Sequence, residues 1–338
     1  MTIRIGLVGP GAIGGVHRDA IAATEGLQLT AFAGGSAASR ARFATTTDAT
    51  PHETAEAMID AGGIDAVVIA SPADAHAAAT RAAITAGLHV LVEKPLTADP
   101  VAAAELVRLA AESGLTCATV SQRRFEPAHH YLHDQLRAGA LGRLISIEAE
   151  LHWYRDPAYY AERPWRDQAA QGGGSLVNQG IHSLDLMLFL AGPVDSVLAQ
   201  TAHEGSGAER FCQALLRFAS GALGSLTTAT VTPPGRPATL SLFTERGHAH
   251  LVQARVAEWT LPVPPPPDGA SPGGAARPLD IGLAGHVAQW RDFRDAIRDR
   301  RPPAVTFADG LAAIRCAEAI HRAAATGRRI PLSEVADA

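Results

Sequence analysis

The sequence is nearly devoid of two side chains that soluble proteins commonly use, lysine and asparagine. Of its 29 lysine and arginine residues only Lys94 is a lysine, and Asn178 is the only asparagine among 338 residues. The arginines are scattered along the chain, and the formal net charge is −5. Because nucleic-acid binding needs a concentrated basic face, this distribution predicts no nucleic-acid partner.

Cysteine is also scarce. Cys117, Cys212 and Cys316 are the only three, they lie far apart in the chain, and they form no CxxC motif. This spacing argues against a disulfide framework or a zinc site and favours a reducing compartment. No other cluster of histidine, cysteine and carboxylate residues suggests a metal, so we expect none.

Long apolar runs are absent as well. The longest, LDLMLFLAG at 184–192, contains Asp185 and is much shorter than the roughly 18 residues that a membrane-spanning helix needs. The N-terminal MTIRIGLVGPG lacks the apolar core of a signal peptide. We therefore expect a soluble, cytoplasmic protein that does not act at a membrane.

The first third of the chain alternates apolar strands with helices. The strands are predicted at 3–9, 27–34, 64–72, 88–95 and 115–122. Strands that are apolar throughout and separated by helices predict a parallel sheet covered on both faces. We assign residues 1–122 to such an α/β domain with a doubly wound parallel sheet.

The pattern changes after residue 123. Following a helix at 126–139, short segments joined by Gly or Pro turns are typical of an antiparallel sheet. Strands are predicted at 144–153, 211–220, 221–232, 238–247 and 248–262. A Pro- and Gly-rich segment at 261–278 predicts a surface loop, and two amphipathic helices close the chain. Residues 123–338 are therefore predicted to form an α+β domain with a large, open, mainly antiparallel sheet.

The sequence GPGAIG at 9–14 fits the G-x-G-x-x-G pattern, directly after the first strand and at the start of the first helix. The first glycine permits the tight turn, the second lets a pyrophosphate approach the backbone, and the third lets the helix pack on the strand. In this context the loop predicts a dinucleotide-binding Rossmann domain. The predicted contacts of the loop with the cofactor are Gly9, Gly11, Ala12, Ile13 and Gly14.

The end of the second strand bears on the choice between NAD and NADP. The carboxylate that usually binds the adenosine ribose is missing from AFAGGSAASR, where Ser36 and Arg40 lie nearby. No negative charge repels a 2′-phosphate there, so the sequence slightly favours NADP over NAD, with Ser36 and Arg40 as contacts. The alternative is that Arg40 is only a solvated helix residue.

Lys94 lies in HVLVEKPLT, at the carboxyl end of a predicted parallel strand, where open α/β sheets bind their ligands. The proline that follows disfavours the α conformation at Lys94. Unlike arginine, lysine can have its pKa lowered toward neutrality and can help to deprotonate a hydroxyl group. The placement favours a catalytic role, although a lone lysine is also consistent with biased coding.

Three segments together resemble the glucose–fructose oxidoreductase/inositol dehydrogenase/rhizopine catabolism (Gfo/Idh/MocA) family. They are GPGAIG, the stretch SPADAHAAATRAAITAGLHVLVEKPLT, and QGGGSLVNQGIHSLDL, and the similarity extends over nearly the whole chain. The resemblance implies an NAD- or NADP-binding first domain and a second domain that binds substrate. It also implies a homodimer or homotetramer formed through the second domain's sheet. The reaction implied is hydride exchange with a hydroxyl or ketone carbon of a sugar, cyclitol or nucleotide sugar.

Site residues follow from the same resemblance. Lys94 and His182 match the family's catalytic lysine and its proton-accepting histidine, and Asp185 matches the acid that follows this histidine. Further cofactor contacts are implied for Ser71, His76, Glu93, Lys94, Trp165 and Arg166. Substrate contacts are expected from Asn178 and Asp185. By residue type, Tyr154, Arg163 and Arg124 are suited to contact a sugar hydroxyl or an anionic group; the alternative for the aromatic segment at 153–167 is a role in the core or an interface.

The chain departs from the inositol dehydrogenases at one position. Four residues before the histidine those enzymes have an aspartate, whereas this chain has Asn178. An amide cannot relay a proton, although it can orient a hydroxyl group. The NQGIH sequence is more similar to the subgroup near UDP-N-acetylhexosaminuronate dehydrogenases and several sugar 3-dehydrogenases.

Two other functions fit the same scaffold. One is an NAD-dependent glycoside-cleaving enzyme, which oxidises a sugar transiently, eliminates the substituent and then reduces the sugar again. The other is a non-catalytic, dinucleotide-responsive binding protein. The second is expected to lose Lys94 or His182, and both are present.

Overall fold

The computed structural model describes residues 2–203, 207–267 and 282–336. The chain forms two compact units, one built from Met1–Gln122 and Leu283–Leu311, the other from Arg123–Gly282 and Ala312–Ala338. The end of the first segment, at residue 122, is where the sequence places a domain boundary. The assignment of all later residues to the second domain needs correction, because Leu283–Leu311 returns to the first unit.

Helices and strands are numbered in the order in which they occur along the chain. The helices are α1 Ala12–Ala22, α2 Ala37–Ala44, α3 Ala55–Ala61, α4 His76–Thr85, α5 Pro100–Ser113, α6 Pro127–Arg137, α7 Pro157–Glu162, α8 Ile181–Ala191, α9 Ala284–Asp299, α10 Phe307–Thr326 and α11 Ser333–Ala336. The strands are β1 Ile3–Val8, β2 Leu27–Ala33, β3 Thr50–His52, β4 Ala66–Ile69, β5 His89–Val92, β6 Cys117–Thr119, β7 Leu144–His152, β8 Val194–His203, β9 Glu209–Phe218, β10 Leu223–Ala229, β11 Thr239–Thr244, β12 Gly247–Val252, β13 Arg255–Trp259 and β14 Ile330–Pro331.

The described strands of the first unit form a six-stranded sheet in the order β3-β2-β1-β4-β5-β6, with every pair parallel. The central strands are buried almost throughout, as expected for a sheet covered on both faces. The prediction of a Rossmann-type parallel sheet is therefore confirmed. Helix α9 joins this unit because Trp290 and Phe293 enter the same core as Leu7 and Val68.

The second unit contains an eight-stranded sheet in the order β13-β12-β11-β7-β10-β9-β8-β14. Strands β7 and β10 pair in parallel, while the other described pairs are antiparallel, so the predicted mainly antiparallel sheet is confirmed. One face of the sheet packs on apolar residues of α8 and α10. The predicted loop at 261–278 has neither helix nor strand at 261–267, and its remaining residues lie outside the described part.

Candidate active site

The glycine loop has the geometry that its sequence predicts. Gly9 has a φ of +102°, and a Cβ there would meet the carbonyl oxygen of Ala70 at 2.5 Å. A Cβ on Gly14 would meet the carbonyl oxygen of Gly9 at 2.3 Å, whereas one on Gly11 would meet nothing within 4 Å. The first and third glycines are thus required by the protein itself, and the space beside Gly11 remains open to a ligand.

The start of α1 suits an anion. Gly11 is the N-cap and supplies no side-chain cap, the first turn contains no acidic residue, and both Gly11 and Ala12 are exposed. Ile13 is half-buried in the same turn. The amide groups and dipole of a helix start favour a phosphate group here. The residues present therefore fit a dinucleotide.

The loop after β2 holds Arg40 close to the backbone. Ser36 caps α2, since its Oγ accepts a hydrogen bond from Ser39 N at 3.1 Å. Arg40 Nη1 donates to the carbonyl oxygen of Gly35 at 2.6 Å. The guanidinium group is therefore tied to the loop at the end of β2, and the roles predicted for Ser36 and Arg40 toward the cofactor stay predictions.

His76 is fully buried and bridges two backbone segments. Its Nε2 lies 2.8 Å from Ser71 O, and its Nδ1 lies 2.9 Å from Pro95 O. Burial lowers the pKa of His76 despite the opposing effect of both carbonyl groups. Its predicted contact with the cofactor stays a prediction; the contacts shown are with the carbonyl groups of Ser71 and of Pro95, the residue after Lys94. The hydroxyl of Ser71 is buried without a hydrogen-bond partner in the described structure.

Glu93 points into the protein. Its Oε1 lies 3.0 Å from His17 Nε2, and its Oε2 accepts the backbone N–H of Lys94 at 3.0 Å. Burial alone raises the pKa of this carboxyl group, but the hydrogen bond with His17 and the positive charge of Lys94 outweigh it and lower the pKa to about 2. Glu93 is therefore ionised and occupied by protein groups, while its predicted role toward the cofactor stays a prediction. Lys94 follows the end of β5 and is half-buried.

In the second unit, a π-helical turn at Ser175–Gly180 leads into α8. The buried carboxylate of Glu209 accepts the N–H of Leu176 at 2.7 Å, and its other oxygen lies 3.4 Å from His321 Nε2. A Cβ on Gly174, whose φ is +96°, would meet this carboxylate at 2.4 Å. The carboxylate of Glu209 therefore fills the space beside Gly174, so this position requires a glycine.

The turn and α8 present three polar side chains on one partly exposed face. Asn178, Gln179 and His182 are half-buried, whereas the neighbouring Val177 and Ile181 are buried. The spacing of three and four residues places these side chains on a common face. Such π-helical turns are frequent at functional sites.

Tyr159 supports that face. Its hydroxyl oxygen accepts hydrogen bonds from Gln179 Nε2 at 2.7 Å and Asn178 Nδ2 at 3.3 Å. The guanidinium carbons of Arg166 and Arg155 lie 4.0 Å and 5.5 Å from the centre of its ring. The sequence prediction missed Tyr159, although it lies inside the aromatic segment that contains Trp165 and Arg166.

The other residues predicted from that segment differ in their surroundings. Arg166 Nη1 donates to the carbonyl oxygen of Tyr159 at 2.6 Å. Trp165 is half-buried. Tyr154 is 37% exposed, and Arg163 is exposed with a long ion pair of 4.0 Å to Glu162. Their predicted roles toward the cofactor or substrate stay predictions.

Arg124 and Asp185, both predicted to contact substrate, instead contact each other. Arg124 Nε and Nη2 donate to the two carboxylate oxygens at 2.9 Å and 2.6 Å, and both side chains are 7% exposed. The guanidinium carbon also lies 5.0 Å from the centre of the Phe189 ring. The pair therefore anchors α8, three residues after His182, and a direct role for either residue in substrate binding stays a prediction.

The described residues offer neither a metal centre nor a membrane span. No group of three or more His, Cys, Asp or Glu residues among them is arranged to hold a metal ion. No described helix is both long enough and apolar enough to span a membrane.

Comparison with known proteins identifies the class. Residues 3–121 match the family model described as "Oxidoreductase family, NAD-binding Rossmann fold", and residues 129–250 match "GFO/IDH/MocA C-terminal domain". The chain therefore belongs to the Gfo/Idh/MocA family of oxidoreductases, and its first unit is an NAD-binding Rossmann domain. The resemblance noted in the sequence is confirmed.

Individual relatives cover almost the full chain. The rhizopine catabolism protein MocA of Rhizobium meliloti is 31% identical over 322 residues, which are 94% of this chain and 93% of that protein. Inositol 2-dehydrogenase of R. meliloti strain 1021 is 27% identical over 98% of this chain and all of its own. The WlbA dehydrogenase of Bordetella pertussis, solved with NADH and UDP-GlcNAcA, is 27% identical, with a TM-score of 0.88 over 98% and 97% of the two chains.

Proposed function

We propose that the protein is an NAD(P)-dependent dehydrogenase or reductase that exchanges hydride with a hydroxyl or ketone carbon of a sugar, cyclitol or nucleotide sugar. The observation that carries the proposal is a lysine fixed at the carboxyl end of β5, in the same unit as a glycine loop with open space at Gly11. Ligands of open α/β sheets bind at this edge. Bound NAD or NADP supplies the hydride acceptor or donor.

Lys94 and His182 form the proposed acid/base pair. Lys94 is an ammonium donor that polarises the reacting hydroxyl or carbonyl oxygen, and His182 takes up or returns the hydroxyl proton. Asn178 can orient a substrate hydroxyl but cannot carry its proton. The proton path is therefore proposed to run through His182 without the aspartate that inositol dehydrogenases have at this position.

The substrate class rests on the relatives and on Asn178. One relative is named a rhizopine catabolism protein, a second is named an inositol 2-dehydrogenase, and a third was solved with NADH and UDP-GlcNAcA. Asn178 in the NQGIH sequence favours a nucleotide sugar or a sugar over a simple inositol. We therefore place nucleotide sugars first among the substrates to be screened.

The test is a screen of sugars, cyclitols and nucleotide sugars with NAD and NADP, followed by nicotinamide absorbance. Lys94→Met should abolish turnover with the substrate that emerges and leave dinucleotide affinity within a few-fold. Near-normal turnover in this variant would refute the role of Lys94. Sugar release without net nicotinamide reduction would instead identify the glycoside-cleaving reaction.

We propose a slight preference for NADP over NAD. It is supported by the lack of a carboxylate at the end of β2 and by the guanidinium group of Arg40, held at the Gly35 carbonyl group. Arg40→Ala should then weaken NADP binding more than NAD binding, as measured by fluorescence titration. Equal effects on the two cofactors would contradict the preference.

We also propose a cytoplasmic homodimer or homotetramer assembled through the open sheet. Leu198, Leu215 and Leu223 are exposed hydrophobic residues on neighbouring strands β8, β9 and β10, and exposed apolar patches commonly mark interfaces. Leu215→Glu should reduce the mass measured by light scattering to that of a monomer. A wild-type protein that is itself monomeric would refute the assembly.

A further inference from the structure

The backbone N–H of Lys94 lies just beyond the last sheet hydrogen bond of β5. Glu93 N donates to Ile69 O at 2.8 Å within the sheet, and the next amide, that of Lys94, donates to Glu93 Oε2 at 3.0 Å. Glu93 is 5% exposed, so water does not compete freely for its carboxylate. The direction in which Lys94 leaves the strand therefore depends on how this carboxylate is held.

The carboxylate is held by a chain of hydrogen bonds with a defined direction. Trp290 Nε1, which can only donate, lies 3.1 Å from His17 Nδ1. His17 Nδ1 must therefore accept, the ring proton sits on Nε2, and Nε2 donates to Glu93 Oε1 at 3.0 Å. His17 and Trp290 are each 1% exposed, so the indole fixes the tautomer of a buried imidazole.

We propose that His17 and Trp290 are positioning residues for Lys94, which they align through the carboxylate of Glu93. The inference rests on the catalytic role proposed for Lys94. It assigns a function to α9, since this helix lies far from β5 in sequence and contributes the indole that orients His17. On the other side of Lys94, His76 Nδ1 lies 2.9 Å from the carbonyl oxygen of Pro95.

The titratable groups around the carboxylate are few. Besides the hydrogen-bonded His17, Lys94 and His286 are titratable groups that act on Glu93, and Glu93 in turn acts on His76. The ring of His286 packs edge-on against His17 at 5.6 Å. Without the indole N–H, His17 can place its proton on Nδ1, which turns a lone pair toward Glu93 and disturbs the charge next to Lys94.

Because Lys94 is the only lysine, it can be observed alone. Labelling the intact, untagged protein with [ε-13C]lysine yields one site, whose NMR titration reports on Lys94 without any substrate. Trp290→Phe keeps an aromatic ring but removes the donor, and His17→Leu removes the imidazole. We expect both variants to shift the Lys94 titration midpoint by about 0.5 pH unit or more. His17→Gln, which retains an N–H donor, should behave more like wild type.

Phe293→Leu is the matched control. Phe293 packs on Trp290 in the same helix, with ring centres 5.7 Å apart, but takes no part in the hydrogen-bond chain. It should lower thermal stability to a similar extent and leave the Lys94 titration unchanged. Once a substrate is known, Trp290→Phe should lower kcat by about tenfold to a hundredfold with little change in the KM for the dinucleotide.

A Lys94 titration in Trp290→Phe and His17→Leu that superimposes on wild type would overturn the inference. If His17→Leu does not fold, Trp290→Phe and His17→Gln decide the question. The outcome is separable from that of the proposed function: turnover by Lys94→Met would remove the catalytic role of Lys94, while the titration would still show whether His17 and Trp290 align it.

Discussion

The buried pair of Arg124 and Asp185 offers the sharpest test of how α8 is held. Replacing either residue with leucine leaves the other as an uncompensated charge in a site where both side chains are 7% exposed. Breaking such a buried pair costs about 3–5 kcal/mol. The contact of Arg124 with Phe189 at 5.0 Å adds about 0.5–2 kcal/mol to the loss in Arg124→Leu.

The double variant Arg124→Leu/Asp185→Leu should be far less destabilised than the sum of the single variants. Removing both charges also removes their desolvation cost, and an apolar replacement of a buried pair is often neutral or stabilising. We expect the double variant to lie within about 2 kcal/mol of wild type, with a coupling free energy of several kcal/mol. Arg322→Ala, which breaks a half-exposed i,i+4 pair with Glu318, serves as the surface control and should cost about 0.5 kcal/mol.

The measurement is urea denaturation followed by circular dichroism and tryptophan fluorescence. Three of the four tryptophans lie in the second unit, so fluorescence reports mainly on the unit that contains the pair. Additive losses, or single variants within about 0.5 kcal/mol of wild type, would refute a stabilising pair. If Arg124 contacted substrate instead, as the sequence suggests, Arg124→Leu would raise KM without loss of stability.

Four further outcomes are expected. Gly11→Ala should fold normally and lose dinucleotide affinity, because its Cβ occupies only the open space beside the loop. Gly14→Ala should instead lower the melting temperature, because its Cβ meets a backbone oxygen at 2.3 Å. Burial lowers the pKa of His321, but the Glu209 carboxylate 3.4 Å away outweighs burial and raises this pKa. The ion pair therefore contributes stability that is present below about pH 6.5 and is lost as pH rises through the raised pKa. His321→Gln should flatten that part of the pH profile of the free energy of unfolding. The pKa of Glu93 is lowered from an ordinary 4.5 to about 2. This shift contributes stability that is present above pH 4.5 and is lost as pH falls toward 2. Glu93→Gln should reduce that loss of stability in acid titrations. Burial raises the pKa of each of the three cysteine thiols to about 12, so native protein should resist alkylation that mass spectrometry detects readily after unfolding.

The sequence predicts the architecture well because strand and helix periodicity are local properties. The apolar runs of β1, β4 and β5 predict burial on both faces, and the position of GPGAIG after β1 predicts the turn that the structure shows. The return of Leu283–Leu311 to the first unit was not predictable in this way. The sequence of an amphipathic helix such as α9 predicts an apolar face, but it does not predict against which hydrophobic core that face packs.

Side-chain partners were the harder part of the site. The position of His17 in the sequence does indicate a role, since it lies between Gly14 and Ile21 on the buried face of α1. A polar residue on such a face needs a hydrogen-bond partner. Nothing in the sequence identified that partner as Trp290, 273 positions away. Glu209 and Tyr159 were missed for the same reason, because their roles depend on contacts with residues that are distant in sequence.

One physical rule accounts for most of the difference between expected and observed roles. Glu93, Arg124 and Asp185 are predicted ligand contacts, yet the structure buries all three, and charged residues are rarely buried unless they are paired. A buried charge must be paired, and the partners of these residues are other protein groups. Glu93 pairs with His17, and Arg124 pairs with Asp185. That Lys94 and Asn178 face substrate stays a proposal, which the substrate screen and the Lys94→Met variant begin to test.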